Sequence, residues 1–425
     1  MSRFALPLAA VMLAMTFSSG PVLAQPTEPA PAPSAPEVEA TAPPEPPPEL
    51  APPTVQTVRV DPVGVAALTA PDAFTTPGRE TGLPASLWRD TPIATMRAVL
   101  PLIATRPLSP AAAALARRVL APGAQGPQPV DNDASGDLAG ARVSALVALG
   151  DLTAARAILE RAPGLDRSSG LSRAAAESAL LAGDDLRACA IADALSTGRD
   201  DIYWLRLRAW CQVTAGQTGA AQLTFDLAQT HARDAVYGRL MSAKLAGAAP
   251  GAASLRNGLD YAMSRSLGLD LSKAKPSPAV AAATDGGEVT EPAPSVIAAD
   301  LVSFAEALSG GSPGNARVSV DGTKPRTAAA GLLAFAFQFG RPVADFGDFP
   351  VSEGKAPLGR NLALQAAADA KQLGFAALLA LLTSTEAGAA GPAIGDRVRI
   401  VMALKAVGLE TDARNFALEG LAALK

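Results

Sequence analysis

The chain has 425 residues, of which 49% are hydrophobic, 18% are charged and only 4% are aromatic. This hydrophobic fraction suffices for a packed core. Alanine, the strongest helix former, is abundant, whereas strands prefer β-branched and aromatic residues. The formal net charge is −4 and no block of Lys and Arg occurs, which argues against nucleic-acid binding and against a polybasic membrane-surface patch. The composition therefore predicts an all-α protein that binds no nucleic acid.

Residues 1–24 have the pattern of a secretory signal peptide. Arg3 precedes an apolar run from Phe4 to Phe17, and a small residue, Ala24, ends the segment. The run is shorter than the ~20 residues that a membrane-spanning helix needs. We therefore expect cleavage before Gln25 and export to a bacterial periplasm, with no integral membrane segment afterwards. The alternative is that the uncleaved segment anchors the protein.

Residues 25–82 are predicted to be a disordered Pro/Ala-rich linker. Prolines and glutamates are concentrated between Gln25 and Thr57. Because proline fixes φ and lacks a backbone donor, such a segment forms an extended tether rather than a packed element. A helical repeat region is expected at residues 83–271 and another at residues 295–425, joined by a flexible linker at residues 272–294. Whether the two regions pack together is left open.

Three turns divide the first helical region into hairpins. Gly150, Gly183 and Gly216 are 33 residues apart, and an alanine follows each of them five residues later. Apolar residues at helical spacing lie on both sides of each turn. Asp151 and Asp184 follow the first two glycines and are predicted to be N-caps of the second helices. We therefore predict a stack of helix hairpins of similar size.

A similar spacing returns near the C-terminus, where Gly340, Gly374 and Gly408 are each 34 residues apart. A period of 33–34 residues, with Gly between paired helices and Ala at the close-packing position, resembles the tetratricopeptide-repeat (TPR) superfamily. The resemblance covers residues 137–247 and, more loosely, residues 327–425. The Trp, Tyr and closing Pro positions of the family are mostly unmatched, although Pro163 closes the first unit. The resemblance implies a TPR-like α-solenoid that presents a concave surface to a protein or peptide.

Cys189 and Cys211 are the two cysteines of the chain. They lie at similar heights on consecutive antiparallel helices that are joined near Gly198, so a disulfide is geometrically feasible. Disulfides form and persist in exported proteins. We therefore predict a Cys189–Cys211 disulfide that cross-links neighbouring repeats. The alternative is that both are small core residues.

One predicted helix carries Tyr203, Trp204, Arg206, Arg208 and Trp210. A single helix cannot bury all of these side chains on one face. The Trp and Arg residues that are four apart can form exposed aromatic–cation pairs, and interfaces favour Trp, Tyr and Arg. We therefore predict a binding surface here. The alternative is that the rings pack in the core and the arginines face solvent.

Patterns that indicate catalysis or metal binding are sparse. His231 is the single histidine, and its place near a helix end is explained by the helix dipole. Asp131, Asp133 and Ser135 match the opening of a calcium loop. However, Arg142 occupies the position of the bidentate glutamate, so a polar loop that caps the next helix is predicted instead. No metal or cofactor is expected.

Three functional hypotheses follow. The preferred one is a non-enzymatic periplasmic helical-repeat scaffold or binding protein, which mediates protein–protein interaction in the cell envelope. The second is a carboxylate-dependent cell-envelope hydrolase, which needs two acids facing one cleft, one of them with a raised pKa. The third is a structural component of motility or surface assembly. The partner under the first hypothesis is a protein or peptide.

Overall fold

The computed structural model of the protein describes residues 74–127, 132–285, 296–309, 325–339 and 354–424. All of them belong to one compact unit, Leu68–Lys425. The predicted signal peptide and most of the predicted Pro-rich linker lie outside the described residues. So do residues 310–324 and 340–353.

The described residues form 17 α-helices and no strand, which confirms the all-α prediction. The first ten are α1 (Ile93–Thr105), α2 (Pro110–Leu120), α3 (Asn132–Ala148), α4 (Leu152–Leu159), α5 (Ser169–Leu181), α6 (Asp185–Ala194), α7 (Ile202–Thr214), α8 (Thr218–His231), α9 (Ala235–Ala246) and α10 (Gly258–Ser266). The others are α11 (Pro278–Thr284), α12 (Val302–Leu308), α13 (Pro325–Phe339), α14 (Leu358–Asp369), α15 (Leu373–Ala387), α16 (Ile394–Ala406) and α17 (Glu410–Ala423).

The predicted turns between α3 and α4, α5 and α6, and α7 and α8 are confirmed. Gly150, Gly183 and Gly216 have φ angles of 79°, 81° and 76°, a left-handed conformation that favours glycine. Asp151 accepts a hydrogen bond from the amide of Ala154, and Asp184 accepts one from the amide of Arg187. These N-caps satisfy amides that have no partner within their own helix. The hairpins thus follow from local sequence.

Two helices differ from the sequence prediction. α11 lies inside the predicted flexible linker at residues 272–294 and packs on α3, α4 and α5. The Ser277 hydroxyl caps it and Pro278 is its first residue, while Val280 is fully buried. α14 was not predicted. It packs through Leu364 and two alanines on α15 and α16. Tertiary burial stabilises both helices where their short or Ala-rich sequences give a weak periodic signal.

The buried guanidinium of Arg142 explains two further differences. It donates hydrogen bonds to the carbonyl oxygens of Phe74 and Thr76, so the packed chain begins before the predicted Leu83. It also donates to the carbonyls of Leu120, Ala121 and Pro122, which end α2. Asp133 and Ser135 belong to α3, so the polar loop that was predicted at the calcium-loop pattern is helical at these two residues.

The N-terminal and C-terminal helices pack together, which the sequence left open. α1 lies against α3 and α15, and α2 lies against α15 and α17. Arg118 on α2 forms an ion pair with Asp412 on α17. Glu419 on α17 accepts a hydrogen bond from the amide of Ala111 on α2. One hydrophobic core therefore runs from the first helices of the described chain to the last.

α15 is the most apolar helix of the described residues. The segment Leu373–Ala390 has the length and hydropathy of a membrane span, but 56% of it is buried inside the protein. It packs on α1, α2, α14 and α16. Gly374 lies in the first turn of this helix and not in a turn between helices. A Cβ at this position would overlap the carbonyl of Leu87 and the ring of Trp88, so only glycine allows this close packing. In this structure α15 is a core helix.

A second hydrophobic core lies among α5 to α10. Consecutive helices pack pairwise from α5 to α10, and α10 returns to pack on α5. The backbone amide of Gly258, the first residue of α10, donates to the Glu177 carboxylate on α5 at 2.7 Å. This second core determines which parts of α6 to α8 remain exposed.

Candidate functional site

The aromatic rings that sequence analysis assigned to a binding surface lie in the second core. Trp204 is 1% exposed and Trp210 is 0% exposed. The indole of Trp204 donates to the hydroxyl of Ser169 at 2.9 Å, which fixes the ring against α5. The Trp210 ring lies below the Lys244 ammonium at 5.7 Å. Both tryptophans take the core position that the sequence left open as the alternative, and neither offers an exposed ring.

Arg206 and Arg208, on the same helix, do not form the predicted aromatic–cation pairs with Trp210 and Trp204 and contact other groups instead. Arg206 lies over the Tyr237 ring at 5.4 Å and pairs with Asp234 at 3.5 Å. Arg208 donates to the carbonyl oxygens of Trp204 and Arg199. The Tyr203 ring lies under the Arg173 guanidinium at 4.7 Å. The cations thus connect α7 to its neighbours.

The predicted Cys189–Cys211 disulfide is confirmed. It joins α6 to α7, with a Cα–Cα distance of 5.6 Å. α6 buries only two alanines, Ala188 and Ala192, and its Leu186 is 85% exposed. The disulfide therefore contributes to holding a helix that has little buried apolar surface of its own. It is compatible with an oxidising extracellular compartment.

The exposed face of α8 is the clearest candidate for a binding surface on α5 to α10. α8 packs mainly on α7 and buries only Ala221 and Ala228. On its outer side, Leu223 is 74% exposed and Leu227 is 51% exposed. Residues four apart lie on one helix face, so the two leucines form a continuous apolar stripe. We call this stripe, together with a depression at the C-terminal end of α8, the α8 face.

The depression has a volume of about 820 Å³ and lies at the C-terminal end of α8. The Phe225 ring supplies the apolar part of the lining of the depression. The centroid of this ring is 5.9 Å from that of Tyr237 on α9. The full lining is Phe225, Asp226, Gln229, Thr230, His231, Ala232 and Arg233. The α8 face thus combines an apolar stripe with a polar, partly cationic end.

The electrostatics of the depression depend on the α8–α9 turn. Asp234 caps α9 through the amides of Val236 and Tyr237. Burial raises the pKa of Asp234, but hydrogen bonds from Arg256 and the Tyr237 amide, with the charges of Arg256 and Arg206, lower it below its ordinary value. Asp234 is therefore a neutralised, structural anion. The exposed Arg233 makes no ion pair within the part of the chain that the structure describes.

A buried acid cluster lies between α5, α7 and α10. Burial raises the pKa of Glu177, although the Gly258 hydrogen bond, the Tyr203 hydroxyl and the Arg173 charge oppose the rise; the Asp260 charge adds to it. Asp260 is itself buried and bonds to Ser254 at 2.7 Å. Glu177 and Asp260 are a pair of carboxylic acids, one with a raised pKa, as the hydrolase hypothesis requires. Neither lines the depression beside α8.

The α8 face was not predicted from the sequence, because aromatic residues are stronger signals of an interface than aliphatic ones. A signal was present: apolar residues occur on both sides of α8, with Ala221, Phe225 and Ala228 on one side and Leu223 and Leu227 on the other. A helix that buries only one side must expose the second set. No family model, no curated protein and no solved structure matches this chain.

Proposed function

We propose that this protein is a non-enzymatic, exported helical-repeat protein, which binds a protein partner in the cell envelope through the α8 face. The single observation that carries the proposal is the exposed pair Leu223 and Leu227 on α8, a helix whose C-terminal end also lines a depression of about 820 Å³. Exposed leucines that form a patch with a polar rim are typical of protein-interaction sites.

The chemistry of the α8 face specifies the partner. The two leucines require apolar side chains that cover them, and covering them favours binding by about 25 cal/mol per Å² of apolar surface removed from water. Arg233, which is exposed just after α8 and lines the depression, favours an acidic side chain. We therefore expect a peptide or helix that presents apolar residues followed by an acidic one.

The repeated hairpins support a scaffold role. α3 to α8 alternate in antiparallel pairs around the Gly150, Gly183 and Gly216 turns, as the TPR-like interpretation expects. Solenoids of such hairpins commonly bind proteins on an extended surface. The TPR-like α-solenoid is therefore the architecture that we propose. The return of α10 onto α5 would close this stack at its end.

The disulfide supports export. Cys189 and Cys211 account for all cysteines of the chain, so no free thiol remains. Such pairing is rare in reducing compartments. Together with the signal-peptide pattern, it favours the periplasm. N-terminal sequencing of protein from the periplasmic fraction is expected to begin at Gln25. A chain that retains Arg3 and stays with the membrane would indicate the anchored alternative.

Photo-cross-linking in living cells tests the α8 face. A photoreactive amino acid at Leu223 should form an adduct with one dominant envelope protein, whose cross-linked segment combines apolar residues with an acid. Leu227→Arg should abolish the adduct because a charge replaces apolar contact, and Arg233→Glu should weaken it because the ionic attraction is reversed.

Leu186→Arg is the matched control, since Leu186 is an exposed leucine on another helix. It should leave the adduct unchanged. Circular dichroism and an intact disulfide confirm that each variant is folded. An adduct that survives both Leu227→Arg and Arg233→Glu would overturn the assignment of the α8 face. So would the absence of any specific adduct from Leu223.

A further inference from the structure

His231 is the single histidine of the chain, and it lies in the α8 face. It is the last residue of α8 and lines the depression at the C-terminal end of that helix. Its side chain is exposed, so a partner can reach it. Histidine is the side chain whose ordinary titration falls between pH 5 and 8, and the C-terminal end of a helix dipole favours the protonated ring. The charge of the depression can therefore change with pH at this residue.

The charges that line the depression are balanced when His231 is neutral. The lining contains one permanent cation, Arg233, and one acid, Asp226, and both are exposed. The side-chain amide of Gln222 donates to the Asp226 carboxylate at 3.0 Å, a contact that stays within α8. The formal charges of Asp226 and Arg233 cancel. Protonation of His231 therefore gives the lining one net positive charge.

The charged groups next to the depression compensate one another. α8 packs on α7 and α9. Arg206 of α7 donates to the carbonyl of Ala232 in the depression and pairs with Asp234, the N-cap of α9, at 3.5 Å. Asp234 also pairs with Arg256 at 3.0 Å, and Arg256 pairs with Asp260. Two cations and two anions thus form one neutral chain of contacts, which leaves the charge of the lining to its own residues.

The other titratable side chains of α7 and α9 keep their charge state between pH 6 and 8. They are Tyr203, Arg208, Cys211, Tyr237, Arg239 and Lys244. Burial raises the pKa of both tyrosines, so their phenols stay neutral. Cys211 is held in the disulfide, and arginine and lysine side chains ordinarily remain charged in this range. Among the residues that line the depression or belong to α7 and α9, His231 is therefore the group that changes charge.

We propose that protonation of His231 regulates the α8 face, which then binds the acidic end of its protein partner more tightly as pH falls from about 8 to about 6. This inference rests on the proposed function, since it concerns the same surface and the same partner. Both ring nitrogens of a protonated imidazole donate hydrogen bonds, so His231 and Arg233 together offer two cations in the depression. Acidic side chains of the partner ordinarily remain ionised in this range. By linkage, binding should take up a proton.

Photo-cross-linking at two pH values tests the regulation. The full-length protein with a photoreactive amino acid at Leu223 is titrated into cell-envelope preparations that are buffered at about pH 6 or about pH 8. The protein concentration that gives half-maximal adduct is measured, and we expect it to be about five-fold or more lower at the acidic pH. His231→Gln cannot gain the proton and should bind at both pH values as the parent protein does at pH 8. His231→Lys keeps a permanent cation and should bind at both as the parent does at pH 6.

The outcomes separate this regulation from the binding surface itself. Equal half-maximal concentrations at both pH values, or a pH dependence that survives His231→Gln, would overturn the regulation and leave the α8 face as the binding surface. A His231→Lys variant that behaves like His231→Gln would show that charge is not the cause and would overturn it as well. The absence of an adduct at either pH would instead overturn the proposed function, and this inference with it. Circular dichroism at both pH values confirms that each variant is folded.

Discussion

The carboxylate of Glu419 on α17 accepts a 2.7 Å hydrogen bond from the backbone amide of Ala111 on α2, 308 residues earlier in the chain. This amide belongs to the first turn of α2, where Ser109 is the N-cap but makes no side-chain bond to the helix. The other oxygen of Glu419 bonds to the buried Arg397 at 2.6 Å. One carboxylate thus caps α2 and neutralises a buried cation.

We expect Glu419→Ala to lower the free energy of unfolding by about 3–5 kcal/mol, because it leaves the Arg397 charge buried without its partner. Chemical denaturation monitored by circular dichroism measures the change. Glu410→Ala on the same helix is the control, since its exposed carboxylate is 3.7 Å from Arg414, a pair of the surface type. It should cost less than about 1 kcal/mol. Equal effects of the two changes would show that Glu419 has no special role.

Loss of the disulfide should destabilise α6 selectively. Closing a loop of 22 residues between Cys189 and Cys211 is worth about 3 kcal/mol in the chain-entropy account. We expect the Cys189→Ala/Cys211→Ala variant to lose about this much stability. Relative to the unaltered protein, its hydrogen exchange should accelerate more in α6 than in α15. Hydrogen exchange with mass spectrometry locates the change. Uniform acceleration across the chain would contradict a local role.

The sequence predicted the elements whose signals are local. Asp151 and Asp184 lie where an N-cap must be, and Gly150, Gly183 and Gly216 take the left-handed conformation that their turns need. Such features depend on residues within one helix turn, and they can therefore be derived without knowledge of tertiary packing. The disulfide was predictable for the same reason, since a hairpin fixes the relative height of its two cysteines.

Features that depend on tertiary contacts were not predictable. α11 is stabilised by packing on α3, α4 and α5, and the Ala111–Glu419 hydrogen bond joins opposite ends of the chain. Trp204 and Trp210 are buried in a core that also includes Leu259 and Met263 of α10, and the return of α10 to α5 is not encoded in any periodicity. The α8 face was not predictable for the same reason: Leu223 is exposed because no other helix packs over it, and this depends on tertiary structure.

Replacing Arg142 by Met should destabilise the protein strongly. The guanidinium donates to carbonyls of Leu120, Ala121, Pro122, Phe74 and Thr76, and methionine retains much of its length but none of its donors. Buried carbonyls without donors cost about 1–3 kcal/mol each, and partial rearrangement reduces the sum. We therefore expect the free energy of unfolding to fall by about 3–5 kcal/mol.

Chemical denaturation measures this loss, and Arg156→Met, at an exposed position on α4, is the control. The control should change stability by less than about 0.5 kcal/mol. We also expect Arg142→Met to make the chain around residue 74 susceptible to proteolysis, because two of its carbonyl contacts are lost. Stability of Arg142→Met equal to that of the control would contradict this role.

Glu177 should make stability fall as pH rises. Burial raises the pKa of its carboxyl above the ordinary value of 4.5, so the folded state binds the proton more tightly than the unfolded state. The favourable contribution is complete below the unfolded pKa and is lost as pH rises through the folded pKa. Glu177→Gln keeps an acceptor for the Gly258 amide but cannot ionise. We therefore expect the variant to match the unaltered protein near pH 4 and to be more stable above the folded pKa.

The measurement is the difference in free energy of unfolding between the two proteins at several pH values. Using the difference removes the contributions of other groups: burial raises the pKa of Asp412, whereas an Arg360 hydrogen bond lowers that of Glu386. Glu160→Gln, at an exposed site on the surface, is the control for a Glu-to-Gln change outside the core. A Glu177→Gln difference that is independent of pH would show that the carboxyl of Glu177 is not linked to folding, and that its contact with α10 serves only as a cap.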